Sequence, residues 1–344
     1  MIARLAAGSR GAALSETAAV APRETWFTAA ICAHCRKSIR LGRWALVLGL
    51  LGIAWLPVAL AQPCGNAQVA VQVLGSGGPE LAEPRAQSGY LVWIDGKARV
   101  LVDVGAAVAL RFVESGASGA DLDAILLTRL HADHTVDLPT LLQASLAQNR
   151  NRPLPVYGPA GNKSMPSTVA FIRALFDGTR GAYRNLGELL NPLAKAPYKL
   201  QPHDVGEEAN RLGVRRPTAA IHHPFANERL RVSAAYVTRD TAPTLIWRIE
   251  TAGKSIVFGS AGDGTGKSAE TLAKNADWLA VSLDPSQTAP EEVARFANET
   301  AAKQLVLLPR ARLAPEREAE VLELIKKHYA GPVGFARDLA CFAP

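Results

Sequence analysis

Thr128-Arg129-Leu130-His131-Ala132-Asp133-His134 is the stretch on which the reading of this 344-residue chain turns. It follows a largely apolar run, residues 122–127, of the length and composition of a buried strand. Within the stretch Arg129 stands out. An arginine keeps its proton at any accessible pH and has no lone pair to offer a metal.

Working outward, strand-like runs precede it at residues 68–74, 90–94 and 100–104. Each is β-branched or aromatic and bounded by Gly, Asp or Pro. A short helical pattern covers 106–113. After the stretch, 137–148 is helical, with Leu138, Leu141, Leu142 and Leu146 on one face. A short strand at 154–157 and a helix at 167–176 follow. Residues 178–228 are poor in periodicity and rich in Pro and Gly, which reads as a lid, a binding loop or an insertion. Strands then resume at 230–237, 244–250, 255–258, 278–282 and 304–308. Helices are expected at 268–275, 290–300 and 315–328. Strand pairs first and βαβ units later fit an α/β fold.

The N-terminus is a different kind of sequence. Arg36, Lys37, Arg40 and Arg43 precede an uncharged apolar segment, 45–55, then Pro57 and Ala59-Leu60-Ala61. That order is the grammar of a secretory signal, residues 36–61, cleaved before Gln62. A membrane anchor is the competing reading, but the segment is short for a span and Pro57 interrupts it. Residues 1–35 read as a disordered leader or an overlong reading frame. Cys32-Ala33-His34-Cys35 has metal or redox spacing, yet no second pair follows it. Residues 62–344 then form one domain, exported to the periplasm or beyond, with no stable membrane anchor after cleavage.

Removing residues 1–61 changes the charge argument. The whole chain has 38 Lys/Arg and 31 Asp/Glu; the leader holds seven and two of these, leaving a net charge of about +2. Without a clustered basic face, no nucleic-acid partner is expected. The arginines in 211–216 and 310–317 read as solvated faces. Cys64 and Cys341 are the two cysteines left after cleavage, a natural disulfide in an oxidising compartment.

Several landmarks in order resemble the metallo-β-lactamase superfamily, in particular its ribonuclease Z and arylsulfatase-like branch. Leu74-Gly75-Ser76-Gly77-Gly78-Pro79 is similar to the Gly-rich turn after its first strand. Leu101-Val102-Asp103-Val104-Gly105 resembles its D-x-G element, and Val156-Tyr157-Gly158-Pro159 the strand end after the motif helix. The opening stretch resembles its T-H-x-H-x-D-H segment. The resemblance implies a four-layer αββα sandwich, two mixed β-sheets with outer helices, and a dinuclear metal centre whose hydroxide attacks esters or phosphoesters.

Carried over residue by residue, the resemblance implies the following. Arg129 stands where the first histidine ligand belongs, and His131 at the second. Val237-Thr238-Arg239-Asp240 matches V-D-H-G, so Arg239 replaces the third. Asp133 and His134 are in place, and Asp263 matches the bridging aspartate. Arg310 stands where the last histidine belongs, and Gln287 where many relatives have one. His222-His223 offers substitute ligands, though neighbours in an extended chain point to opposite faces. His203 and His328 read as surface residues.

Two functions remain open. One is a hydrolase-like protein with an eroded centre and weak or no metal-dependent hydrolysis, its Arg129 and Arg239 presented to a small-molecule or anionic ligand. The other is a hydrolase running on one zinc or other divalent ion at Asp133, His134 and Asp263, with Asp133 as the catalytic candidate. Ala261-Gly262-Asp263-Gly264-Thr265-Gly266-Lys267-Ser268 also has the tail of a phosphate-binding loop between a strand and a helix. Too little chain follows it for a nucleotide-hydrolysing domain.

Overall fold

The first strand, β1 (Val69–Gly75), is apolar at almost every position because both of its faces are covered. Val69, Val71 and Val73 point to one buried cluster, and Ala70 and Leu74 to another. A strand buried on both sides loses the polar–apolar alternation of a half-exposed one. Its one polar side chain, buried Gln72, accepts a hydrogen bond from Trp93 Nε1 at 3.0 Å.

In this computed structural model the described residues are Cys64, 67–81, 84–209, 215–217, 220–239, 242–260, 266–283, 288–309 and 313–344. All fall in one compact unit, Val58–Pro344. The signal segment, the Cys32–Cys35 pair, Asp263, Gln287 and Arg310 lie outside the described residues. No helix among the described residues is long and apolar enough to cross a membrane.

β1 continues into β2 (Gly89–Ile94), β3 (Lys97–Val102), β4 (Ala124–Leu126), β5 (Leu154–Pro159) and β6 (Leu200–Val205). A small hairpin follows, β7 (Glu207–Ala209) and β8 (Arg215–Pro217). The second half supplies β9 (Ile221–Ala226), β10 (Leu230–Arg239), β11 (Ala242–Thr251), β12 (Lys254–Ser260), β13 (Trp278–Leu283), β14 (Leu305–Pro309), β15 (Val333–Phe335) and β16 (Cys341–Phe342). One sheet has the order β16-β1-β2-β3-β4-β5-β6 and the other β15-β14-β13-β12-β11-β10-β9. Each is antiparallel on one side and parallel on the other.

Three cores give the expected four layers. Val92, Val102, Leu126, Trp247, Phe258 and Trp278 fill the space between the sheets. Leu101, Ile125, Phe112, Leu138 and Phe176 pack the first sheet against its helices, which include Val108–Glu114, Leu138–Ser145 and Thr168–Phe176. Val257, Leu272, Val293, Leu307 and Val321 do the same for the second sheet and the helices Gly266–Ala273, Pro290–Glu299 and Pro315–Lys326.

The structure departs from the sequence reading at residues 178–228. They contain β6 and β9, the edge strands of the two sheets, which lie on the same flank of the sandwich. Edge strands tolerate proline and polar side chains because one side of their backbone is unpaired. Pro202 in β6 and Pro224 in β9 are instances.

The opposite flank is tied covalently. Cys64 and Cys341 form a disulfide across a sequence separation of 277 residues. The bond holds β16 on β1, with Gln72 opposite Cys341. Beside it the Asp338 carboxylate accepts hydrogen bonds from Ser76 N, Ser76 Oγ and Ala86 N at 2.8–2.9 Å.

Candidate functional site

β4 ends where the two sheets meet. Leu127 N donates to Tyr157 O on β5, and Leu245 N on β11 donates to Thr128 O at 2.8 Å. The indole Nε1 of Trp247 donates to Leu127 O at 3.1 Å. Thr128 is therefore fixed by both sheets, and the chain turns from it into the short helix Ala132–Thr135.

Asp103, one residue past β3, anchors this turn from below. Its φ of 60° puts it in the left-handed region, which aspartate tolerates better than most residues. One carboxylate oxygen accepts from Thr128 N at 2.7 Å. The other accepts from Thr128 Oγ1 and lies 2.7 Å from His134 Nδ1. Gly105 must be glycine, because a Cβ there would sit 2.2 Å from Asp133 O. The D-x-G element thus works as one device. Its aspartate orients the histidine ring, and its glycine lets the helical turn approach.

Asp133 and His134 are buried, at 7% and 5% exposure. His134 Nε2 faces away from Asp103, and two groups meet it. Arg129 Nε donates to it at 2.7 Å. Asp133 Oδ2 lies 3.2 Å away. The Arg129 contact requires a lone pair on Nε2 and so belongs to the neutral ring with its proton on Nδ1. Burial opposes a second proton on His134. The Asp103 charge and the hydrogen bonds to Asp103 and Asp133 outweigh it and raise the ring above the ordinary imidazole value. In the doubly protonated ring Nε2 turns its proton to Asp133, and the guanidinium must draw back. Burial alone would raise the Asp133 carboxyl; the His134 hydrogen bond and the charges of His134 and Arg129 bring it down to about 2.

The remaining expected site residues are placed as follows. His131 is the exposed N-cap of the short helix. Arg239 ends β10, opposite Ala242, so its backbone reaches the cleft end of the second sheet. His222 pairs with Ala234 on β10, and His223 Nδ1 lies 2.8 Å from Ser233 Oγ. Of the phosphate-loop stretch, only its last residues are described, in the helix Gly266–Ala273. Among the described residues no three His, Cys, Asp or Glu converge to hold a metal ion. A guanidinium occupies the approach to His134 Nε2, the nitrogen that would face one. As arranged, these residues do not fit a divalent ion at that nitrogen.

Residues 82–225 match the profile of the metallo-beta-lactamase superfamily, whose members typically bind zinc. Ribonuclease Z of Mycobacterium sp. (strain KMS) is 34% identical over 199 residues, 57% of this chain and 61% of that protein. The chain thus spans about three-fifths of the length of that relative. Ribonuclease Z of Mycobacterium bovis (strain BCG / Pasteur 1173P2) is 31% identical over 213 residues, 61% of this chain and 68% of that protein. Two solved structures share the fold at 20% identity. The metallo-beta-lactamase fold protein YhfI from Bacillus subtilis has a TM-score of 0.57, over 80% of this chain and 98% of its own. Human tRNase Z, short form, has 0.56, over 80% and 99%.

These relatives correct one expectation. Net charge argued against a nucleic-acid partner, yet the similar proteins are ribonucleases. A small net charge does not exclude RNA, because phosphate can be met by a few well-placed cations and bases by stacking, neither of which shows in a whole-chain sum.

Proposed function

This chain belongs to the metallo-β-lactamase superfamily, and we propose that it is an exported, hydrolase-like member with an eroded metal centre whose cleft binds an anionic phosphoester group. The observation that carries this reading is the 2.7 Å contact of Arg129 Nε with His134 Nε2. A fixed cation replaces a metal's charge at that nitrogen and repels a divalent ion. The same guanidinium geometry suits phosphate or carboxylate oxygens. The ribonuclease relatives make an RNA phosphodiester the leading ligand class. Export rests on the signal-like segment 36–61 with cleavage before Gln62. The Cys64–Cys341 disulfide supports an oxidising compartment, periplasmic or extracellular.

A second reading keeps one divalent ion on Asp133, His134 and Asp263. It is favoured by the low Asp133 value, about 2, which keeps that carboxylate ionised, and by the Asp103 bond that aims His134. Metal analysis of the purified mature chain separates the two. The expected result is less than one zinc per chain after mild dialysis, with weak or no hydrolysis of generic phosphodiesters. Arg129→His with Arg239→His should raise metal uptake. Two tightly held ions in the unmodified chain would overturn the first reading.

A further inference from the structure

We propose that Tyr157, His203 and Phe225 form a stacking subsite for a nucleobase at the open flank of the cleft; the inference rests on the reading of the cleft as a phosphoester site. β6 and β9 are the edge strands on this flank. Tyr157 lies directly opposite His203 in the β5–β6 register. Their rings stack with centroids 4.7 Å apart and planes 18° from parallel. From the other sheet Phe225 tilts against the same tyrosine at 6.0 Å. Tyr157 is buried and its partner Phe225 half-buried, but His203 is exposed.

An exposed ring laid flat on a buried one does little to seal a core. Such a ring is a plate on which a planar ligand can stack. No hydrogen bond to the His203 ring forms among the described residues, so its two nitrogens remain available to the edge of a base. Single-stranded RNA is read in this way, by unstacked bases laid on aromatic side chains and hydrogen-bonded at their edges.

The position of the plate matches the cleft. Tyr157 also pairs with Leu126 of β4, the strand that runs into Thr128 and Arg129. Strands in a sheet lie about 4.8 Å apart, which puts β6 roughly 10 Å from β4. A base on His203 and a phosphate at Arg129 are then reached by one short strand.

The test measures binding of a fluorescent oligouridylate and of an abasic ribose-phosphate oligomer of equal length to the mature chain. The variants are His203→Ala, His203→Phe and Arg129→Met. The subsite predicts that His203→Ala weakens the oligouridylate about tenfold, within the range of one base–aromatic stack, and leaves the abasic oligomer unchanged. His203→Phe, which keeps the ring, should stay within about threefold of the unmodified chain. Arg129→Met should weaken both oligomers. Equal loss of both ligands in His203→Ala, no loss of either, or no binding of oligouridylate by the unmodified chain would overturn the subsite. If Arg129→Met changes nothing while His203→Ala still weakens only the base-bearing ligand, the subsite stands and the phosphoester reading at Arg129 falls.

Discussion

At the floor of the cleft Asp103, Asp133 and His134 are buried, and Asp103 alone engages Thr128 N, Thr128 Oγ1 and the His134 ring. At the rim, two residues of the same short stretch are placed quite differently. Arg129 is half-buried and His131 exposed. The floor shapes the backbone turn and must keep its partners whatever the cleft binds, because an unpaired buried polar group costs about 1–3 kcal/mol and a buried charge more. The rim is less constrained, because water can meet half-buried and exposed groups. An arginine can stand at a ligand position there without disturbing the Asp103 bonds beneath it.

The largest expected effect breaks the floor. Asp103→Ala leaves Thr128 N and His134 Nδ1 buried without their carboxylate, and should lower stability by about 4 kcal/mol. Urea denaturation would show it as a shifted midpoint at unchanged slope. Gly105→Ala follows. Its Cβ would meet the Asp133 carbonyl, a backbone atom that cannot rotate away, and the expected cost is about 2–3 kcal/mol by the same measurement.

Acid tests the floor without mutation. The Asp133 carboxyl is lowered from 3.8 to about 2, so its contribution is complete above the higher value and is lost as pH falls through the lower. The loss is roughly 2 kcal/mol. Asp133→Asn should flatten that part of the pH–stability curve; an unchanged curve would mean the carboxylate is not held by His134 and Arg129.

The smallest effect belongs to the rim. Arg129→Met removes one hydrogen bond to the His134 ring and should lower stability by about 1 kcal/mol. It should nonetheless raise the His134 value further, because the guanidinium charge opposes the second proton. A ring whose folded value is raised contributes stability that is present below about 6.5 and lost as pH rises through the folded value. In the variant that loss moves to higher pH. An NMR titration of the His134 ring reads the shift directly.

Much of the floor was legible in the linear sequence. Asp103 and Gly105 stood in the D-x-G element and His134 in the motif after β4, each next to a strand whose apolar run marks it as buried. The flank was not. β6 reads Leu-Gln-Pro-His-Asp-Val, alternately exposed and covered, and an edge strand with a proline has the same composition as a loop. His203 reads as an ordinary surface residue, since nothing local signals the ring beneath it. Tyr157 is 46 positions earlier and reaches it only through the β5–β6 register.

The superfamily, the four-layer fold and the cysteine pair could be read from the linear chain, because these depend on strand periodicity, on short motifs that sit at strand ends, and on there being two cysteines in residues 62–344. It took the folded chain to show that Arg129 turns onto His134 Nε2 rather than into solvent, and that an imidazole and a phenol on neighbouring strands lie flat against each other. Both are matters of direction and register. Side-chain direction is set by the backbone turn after β4 and by how two strands align, and neither is a property of any residue taken alone.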